Sequence, residues 1–231
     1  MSGAPCFVIA GAGGLGREVA VYALDAGLRV RGFLDDTDAD PRRFGLDIPV
    51  LSPLDSYVPI AHDVVLVAVG DPGDRAVIAA RLGVRGADFG QLIHPLAYVA
   101  RPAALGPGSI VAPFATIGLN ARLGPHCLIN THAGIGHDAE LGAACVISPH
   151  AVVNGFARLG DGVMMGSSAV VAPRVMVGAG ATLSAGAVVL AEVAAGATVW
   201  GNPARSLPPA PSGTRPVSAK AETGLDFKSG P

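Results

Sequence analysis

A histidine followed directly by an aspartate stands at His137-Asp138. An imidazole titrates near neutrality, so it suits the removal of a proton from an attacking nucleophile. A carboxylate beside it fixes its tautomer and raises its basicity. Acyl transfer to an amine needs such a base, and a donor for the oxyanion that develops on the carbonyl. Gly155 lies three hexapeptides beyond His137, and its backbone N–H is the candidate donor. Asn130 is a candidate for orienting the base or the substrate. Taken one at a time, each of these residues also fits a plain corner of a repeat.

A second chemistry begins at Gly11-Ala-Gly-Gly-Leu-Gly16. A short apolar strand, Cys6 to Ala10, runs into it, and Arg17 to Ala26 is predicted as a helix. A second strand, Arg29–Leu34, ends at Asp35-Asp36, and a buried strand, Val64–Val69, ends at Gly70-Asp71 before a helix predicted over Arg75 to Leu82. Glycines after a strand let backbone N–H groups and a helix N-terminus approach a phosphate. Gly11, Gly13, Gly14, Asp35, Asp36 and Gly70 are therefore substrate-binding candidates. An NAD-dependent oxidoreductase competes for this motif, but the segment before the repeats is only half a dinucleotide fold. It is sized for one nucleotide diphosphate, such as a nucleotide-linked sugar. A glycine turn that merely packs its helix on the sheet also satisfies the pattern.

The element that must position His137 is a repeat. Stepping by six from Val99 meets only large aliphatics or Met, through Leu105, Val111, Ile117, Leu123, Ile129 and Ile135 as far as Val189. Stepping by six from Ala103 meets only Ala, Ser, Cys or Val. One large and one small inward residue per hexapeptide, often with glycine next, fits short strands joined by tight corners. Three hexapeptides close a triangular coil, so residues one coil apart stack at the ~4.8 Å interstrand spacing. That stacking sets Gly155 one coil beyond His137. It also sets Cys127 and Cys145 together as small core residues rather than a metal or redox pair. Gln91 to Tyr98 is expected as a connector, broken by Pro95. The predicted organisation is a small parallel α/β domain over residues 1–90, a parallel β-helix over 91–207, and a mobile tail over 208–231 rich in Pro, Ser, Gly and charge.

The remaining histidines raise a metal hypothesis. His132 and His150 are one coil apart, and His126 and His137 lie nearby. A third ligand two coils earlier would fall at Leu96 or Arg101, so the set is incomplete and no metal is expected. His62 and His94 have no constellation. The chain has a net charge of −2, which gives no reason to expect nucleic acid or an anionic membrane. No signal peptide or spanning apolar run is visible, and an odd set of 3 cysteines argues for a reducing, cytoplasmic setting.

Together these parts resemble the sialic acid O-acetyltransferase-like family of hexapeptide-repeat sugar acetyltransferases. That family includes N-acetyltransferases of nucleotide-linked 4-amino-4,6-dideoxy sugars. The resemblance covers roughly residues 5 to 207. It rests on Gly11-Ala-Gly-Gly, Phe33-Leu-Asp-Asp36, Val67-Ala-Val-Gly70, Leu92-Ile-His94, Asn130-Thr131, Gly136-His-Asp138 and Gly201-Asn-Pro-Ala-Arg205. It implies a Rossmann-like N-terminal domain that holds the nucleotide sugar, and a left-handed β-helix. It implies a homotrimer with active sites between subunits. It also implies acetyl-CoA as co-substrate in the groove, with Val146, Ser167 and Ala185 on the cofactor side and Gly155 at the oxyanion. Two departures stand out: Leu15 replaces a histidine common after the double glycine, and Val146 replaces a histidine that some members place near the acetyl group. N-acetylation of a 4-amino sugar, O-acetylation of a sialic acid, and a non-catalytic or metal-binding β-helix trimer stay open on sequence alone.

Overall fold

The computed structural model describes residues 5–207. The tail expected over 208–231 lies outside the described residues. Strands β1 (Cys6–Ala10), β2 (Arg29–Leu34), β3 (Val50–Ser52) and β4 (Asp63–Val67) form a parallel sheet in the order β3-β2-β1-β4. Helix α1 (Gly14–Asp25) covers one face of it and α2 (Pro72–Val84) the other. The alternation within β1 explains the layering. Phe7 and Ile9 pack into the α1 layer, while Val8 and Ala10 pack into the α2 layer. Both helices begin about three residues before their predicted starts, because Gly13 and Asp71 are the N-caps and Pro72 takes the first turn of α2. The short strand β3 was not anticipated.

The glycines of the first turn divide their labour. Gly11 has φ +107°, which a side chain resists, and a Cβ on Gly16 would meet the Gly11 carbonyl oxygen at 1.9 Å. Gly13 and Gly14 face open space. Gly16 thus lets α1 approach the turn, while Gly13 and Gly14 leave room beyond it.

The second half is a left-handed parallel β-helix of two-residue rungs. Its first face runs from Leu92–Ile93, its second from Tyr98–Val99 and its third from Ala104–Leu105. Rungs one coil apart pair in parallel, as Leu128↔Val146 and Ile129↔Ile147 do. The two inward columns form one continuous core, with Ile117, Ile129, Ile135 and Ile147 alternating with Ala121, Cys127, Ala133 and Cys145. Cys127 and Cys145 are free and buried within it. The hydrogen bond to Cys127, then burial, push the Cys145 thiol up, so it stays protonated. The segment expected as a connector already belongs to the helix, since Leu92 and Ile93 pair with Ile110 and Val111. The coil closes against an antiparallel pair, Thr198–Trp200 with Arg205–Ser206.

The two halves share a core. Leu92, Ile110, Leu128 and Val146 on the first face bury their outward side chains in the α1 layer with Val19, Ala20 and Ala23. His94, 5 % exposed, adds a polar stitch: its Nε2 lies 3.4 Å from Asp25 Oδ2, and its ring packs edge-on to Tyr22. On the α2 side Arg75 is fully buried and donates to the Val67 carbonyl. Burial lowers its pKa to about 10, so the guanidinium remains charged at neutral pH.

Candidate active site

The corner between the second and third faces holds His137 and Asp138. His137 Nδ1 lies 2.9 Å from Asp138 Oδ2. The other carboxylate oxygen, Oδ1, accepts from Asn120 Nδ2 at 3.2 Å. Asp138 sits in the left-handed region with φ +57°, which swings its carboxylate back onto the imidazole of the preceding residue. The hydrogen bond to His137, then that from Asn120, hold the Asp138 carboxyl below the usual carboxylate range. Nδ1–H therefore points at the carboxylate, and Nε2 is the free basic nitrogen. Asn120 was missed in the sequence. Its signal was available, because it lies one coil before Asp138 in the same column.

Gly155 lies against the imidazole. A Cβ there would stand 2.7 Å from His137 Nε2. The absence of a side chain is what lets the ring lie flat on the next coil. Among the described residues the Gly155 N–H has no backbone acceptor, so it is available to a ligand oxygen. Phe156 packs edge-on to His137 with ring centroids 5.1 Å apart. If Asn120 is replaced by Ala, the Asp138 carboxyl is expected to drift up towards its ordinary range. An imidazole base is protonated well above the carboxylate range, so the shift is read on the Asp138 carboxyl itself, whose NMR titration midpoint is expected to rise in N120A. A midpoint that matches the parent's would contradict this role.

The other candidates fall elsewhere. Asn130 is on the corner between the first and second faces, and its Oδ1 accepts from the Thr131 N–H at 2.7 Å, so within one chain it does not reach His137. Ser167 and Ala185 are exposed on that same corner. Val146 cannot serve a cofactor through its side chain, because it is an outward residue of the first face and α1 covers it, leaving 3 % exposed. The histidines disperse over three corners. His132 and His150 stack with centroids 4.8 Å apart and planes 3° from parallel, a geometry in which two imidazoles do not share one ion. His126, on the third corner, is pushed towards the neutral form by burial, then by Arg75. Among the described residues no group of three His, Cys, Asp or Glu could hold a metal.

At the carboxyl edge of the α/β sheet a cavity of about 320 Å³ is bounded by Gly11, Asp35, Asp36, Leu54, Val69, Ile78 and Arg81. Asp35 builds this edge. Its Oδ2 accepts from the Ala12 N–H at 2.6 Å, and its Oδ1 from the N–H and hydroxyl of Thr37 at 2.8 and 2.6 Å. Most of its acceptor capacity is therefore taken up within the chain. Asp36 accepts from the Leu54 N–H at 2.8 Å and lies 3.5 Å from Arg81. Leu15 reaches towards Gly70 across the open side of the turn. No helix among the described residues is long and apolar enough to cross a membrane.

A base with an anchored carboxylate, a free amide beside it, and an α/β domain with a nucleotide-type turn on the same β-helix are the equipment of an acyl transferase that uses a nucleotide-linked acceptor. Comparison with known proteins agrees. The model of the PglD N-terminal domain matches residues 6–82. The acetyltransferase domain of PglB from Neisseria gonorrhoeae is 33 % identical over 87 % of this chain and 99 % of its own, with a TM-score of 0.82. That domain has also been solved with acetyl coenzyme A. PerB from Caulobacter crescentus, solved with CoA and GDP-perosamine, is 28 % identical over 90 % of this chain and 99 % of its own, with a TM-score of 0.82. WeeI from Acinetobacter baumannii is 29 % identical over 87 % and 99 %, with a TM-score of 0.77. No curated protein sequence matches the chain significantly. The chain belongs to the hexapeptide-repeat family of sugar acetyltransferases.

Proposed function

We propose that this enzyme transfers the acetyl group of acetyl-CoA to the 4-amino group of a nucleotide-linked amino-dideoxy sugar. The observation that carries the reading is the His137–Asp138 pair seated over Gly155, whose N–H is free. The neutral amine attacks the thioester carbonyl while His137 Nε2 takes its proton. The imidazolium that forms faces the Asp138 carboxylate, and the oxyanion faces the Gly155 N–H. Collapse breaks the C–S bond, and the imidazolium returns a proton to the leaving thiolate. The complexes of the relatives with acetyl coenzyme A and with GDP-perosamine support both substrates. The test is thiol release from acetyl-CoA across a panel of UDP-, GDP- and dTDP-linked 4-amino sugars. Turnover of at least one, and not of its 4-hydroxy analogue, is expected. No thiol release with any member overturns the reading.

The topology supports a homotrimer with the site between copies. The α/β domain is docked on the first face, and His137 is on the corner opposite that face. At about 3.3 Å per residue, a hexapeptide side sets the two on the order of 15 Å apart, before side chains are counted. A sugar held by one chain's domain thus meets the base of another chain. The third face carries Arg122, Glu140 and Arg158, with Arg158 3.6 Å from Glu140. The second face carries Gly134, Val152, Val170 and Val188, all half-buried and uncharged. Turning three second faces inward brings the His137 corner of one copy beside Asn130, Ser167 and Ala185 of the next. V170D, which buries a charge in that contact, is expected to give monomers by sedimentation and to abolish turnover with His137 intact. An active monomer would overturn the shared site.

A further inference from the structure

In this kind of coil one residue per corner takes the left-handed conformation. On the corner between the third and first faces that place is often glycine, as at Gly108, Gly162, Gly180 and Gly196. The His137 corner has none. Its four left-handed residues are Asn120 (φ +58°), Asp138 (+57°), Phe156 (+61°) and Arg174 (+65°). A residue with a side chain incurs a backbone penalty in this region. The use of the first two is visible, since Asp138 holds the imidazole at Nδ1 and Asn120 holds Asp138. Burial does not account for Phe156, which stays 43 % exposed.

What Phe156 touches is the base. Its N–H donates to the His137 carbonyl at 3.0 Å, and its ring stands at 89° to the imidazole with centroids 5.1 Å apart. Edge-to-face contact at this separation is a favoured arrangement of two rings. The guanidinium carbon of Arg174 lies 4.7 Å from the Phe156 ring centroid and steadies it. The imidazole needs such a neighbour. Its one polar anchor is Nδ1, 2.9 Å from Asp138 Oδ2. That single bond leaves the ring free to hinge about the line from its Cβ to Nδ1, which sweeps Nε2 sideways. Gly155 puts nothing in the way, since it lacks the Cβ that would stand 2.7 Å from Nε2 and 3.2 Å from Cδ2. The room that lets the ring lie over Gly155 also lets it leave.

We propose that Phe156 is a positioning residue that holds the His137 imidazole over Gly155. The proposal rests on the acetyl-transfer reading and adds to it the part that fixes the ring. Asp138 sets the tautomer, Gly155 leaves the space, and Phe156 closes the open side. Phe156 acts through His137 and not on either substrate. Its loss therefore lowers the fraction of imidazoles aimed at the amine without weakening the binding of amine or thioester.

The test uses the full chain and the variants F156G, F156L and F156Y, with the KM of each substrate measured separately. Glycine suits φ +61°, so F156G removes the ring without straining the corner. It is expected to unfold near the parent's temperature and to lose kcat about 3- to 10-fold, the population shift that one aromatic pair supplies, with the KM for the amino sugar and for acetyl-CoA unchanged. F156Y keeps the ring and is expected to match the parent. F156L fills the volume without a flat face and is expected to fall between. A parent-like kcat in F156G, or in F156L where F156G does not fold, overturns the proposal. A loss confined to the KM of one substrate assigns Phe156 to that substrate and overturns it as well. The imidazole can also be followed without turnover, by NMR of histidine labelled at Cε1, with H137A identifying the His137 signal. The ring current of residue 156 is expected to displace that signal in the parent and in F156Y but not in F156G. An identical His137 signal in all three overturns the restraint even if every amino sugar fails as an acceptor.

Discussion

Replacement of His137 by Ala is expected to lower kcat for amine acetylation about 10²- to 10⁴-fold, the usual contribution of a general base. KM for both substrates should change little, because the imidazole acts on the proton in flight rather than on either ground state. The fold should survive. The His137 side chain is 60 % exposed, its one polar partner is Asp138, and the hydrogen bond from Phe156 N–H uses the backbone carbonyl of residue 137, which Ala retains. Unchanged thermal unfolding with a collapsed kcat is the expected pair of measurements, and added imidazole should restore part of the rate. Retention of the parent's kcat would remove His137 from the chemistry.

Replacement of Gly155 by Ala is the second large effect, and it separates two contributions of that residue. The Gly155 φ lies outside the left-handed region, so the backbone accepts Ala, and stability should stay equal or rise slightly. The amide N–H is also kept. The new methyl would stand 2.7 Å from His137 Nε2 and 2.8 Å from Cε1, which no real contact sustains, so the imidazole must swing away. A displacement of about 1 Å at a reacting group costs on the order of 10²-fold. G155A is therefore expected to be folded, no less stable, and impaired about 100-fold in kcat. A fully active G155A would mean that the base does not work from the position above this glycine.

The repeat makes part of this site readable from residue numbers. Core columns, the stacking of Gly155 on His137 and the pairing of the cysteines all follow from a period of three hexapeptides. The glycine turn at Gly11 and its close-packing partner Gly16 were likewise carried by local pattern, because each glycine answers a steric demand visible within a few residues. Asn130 shows where such reading stops. It is close to His137 in number, but one hexapeptide turns the chain through a corner, so the two side chains project from different edges of the prism. Val146 shows a second limit. Whether an outward side chain meets solvent or another domain depends on what docks there, and only the run of outward apolar residues Ile110, Leu128 and Val146 hinted at a cover. The third-face rungs, with Arg122, Glu140 and Arg158 outward, lack that run. Asn120 carried a signal, one coil before Asp138 and of a type that tolerates the left-handed corner, but its role is visible only once both residues are seen in that conformation with their side chains joined.

The shared core of α1 with Leu92, Ile110, Leu128 and Val146 has a consequence for how such enzymes change. It pins the α/β domain to the coils from Leu92 to Val146, and His137 stands within that span, between Leu128 and Val146. Height along the prism is quantised in steps of one coil, about 4.8 Å each. Inserting one whole coil between Leu128 and His137 would part Leu128 from Val146 beneath α1, so the base changes height only if the docked face is rebuilt with it. The same insertion beyond Arg174 would lengthen the prism and leave that height untouched. Acceptors of a new length call for a change of gear in the first interval, and the second is free to drift.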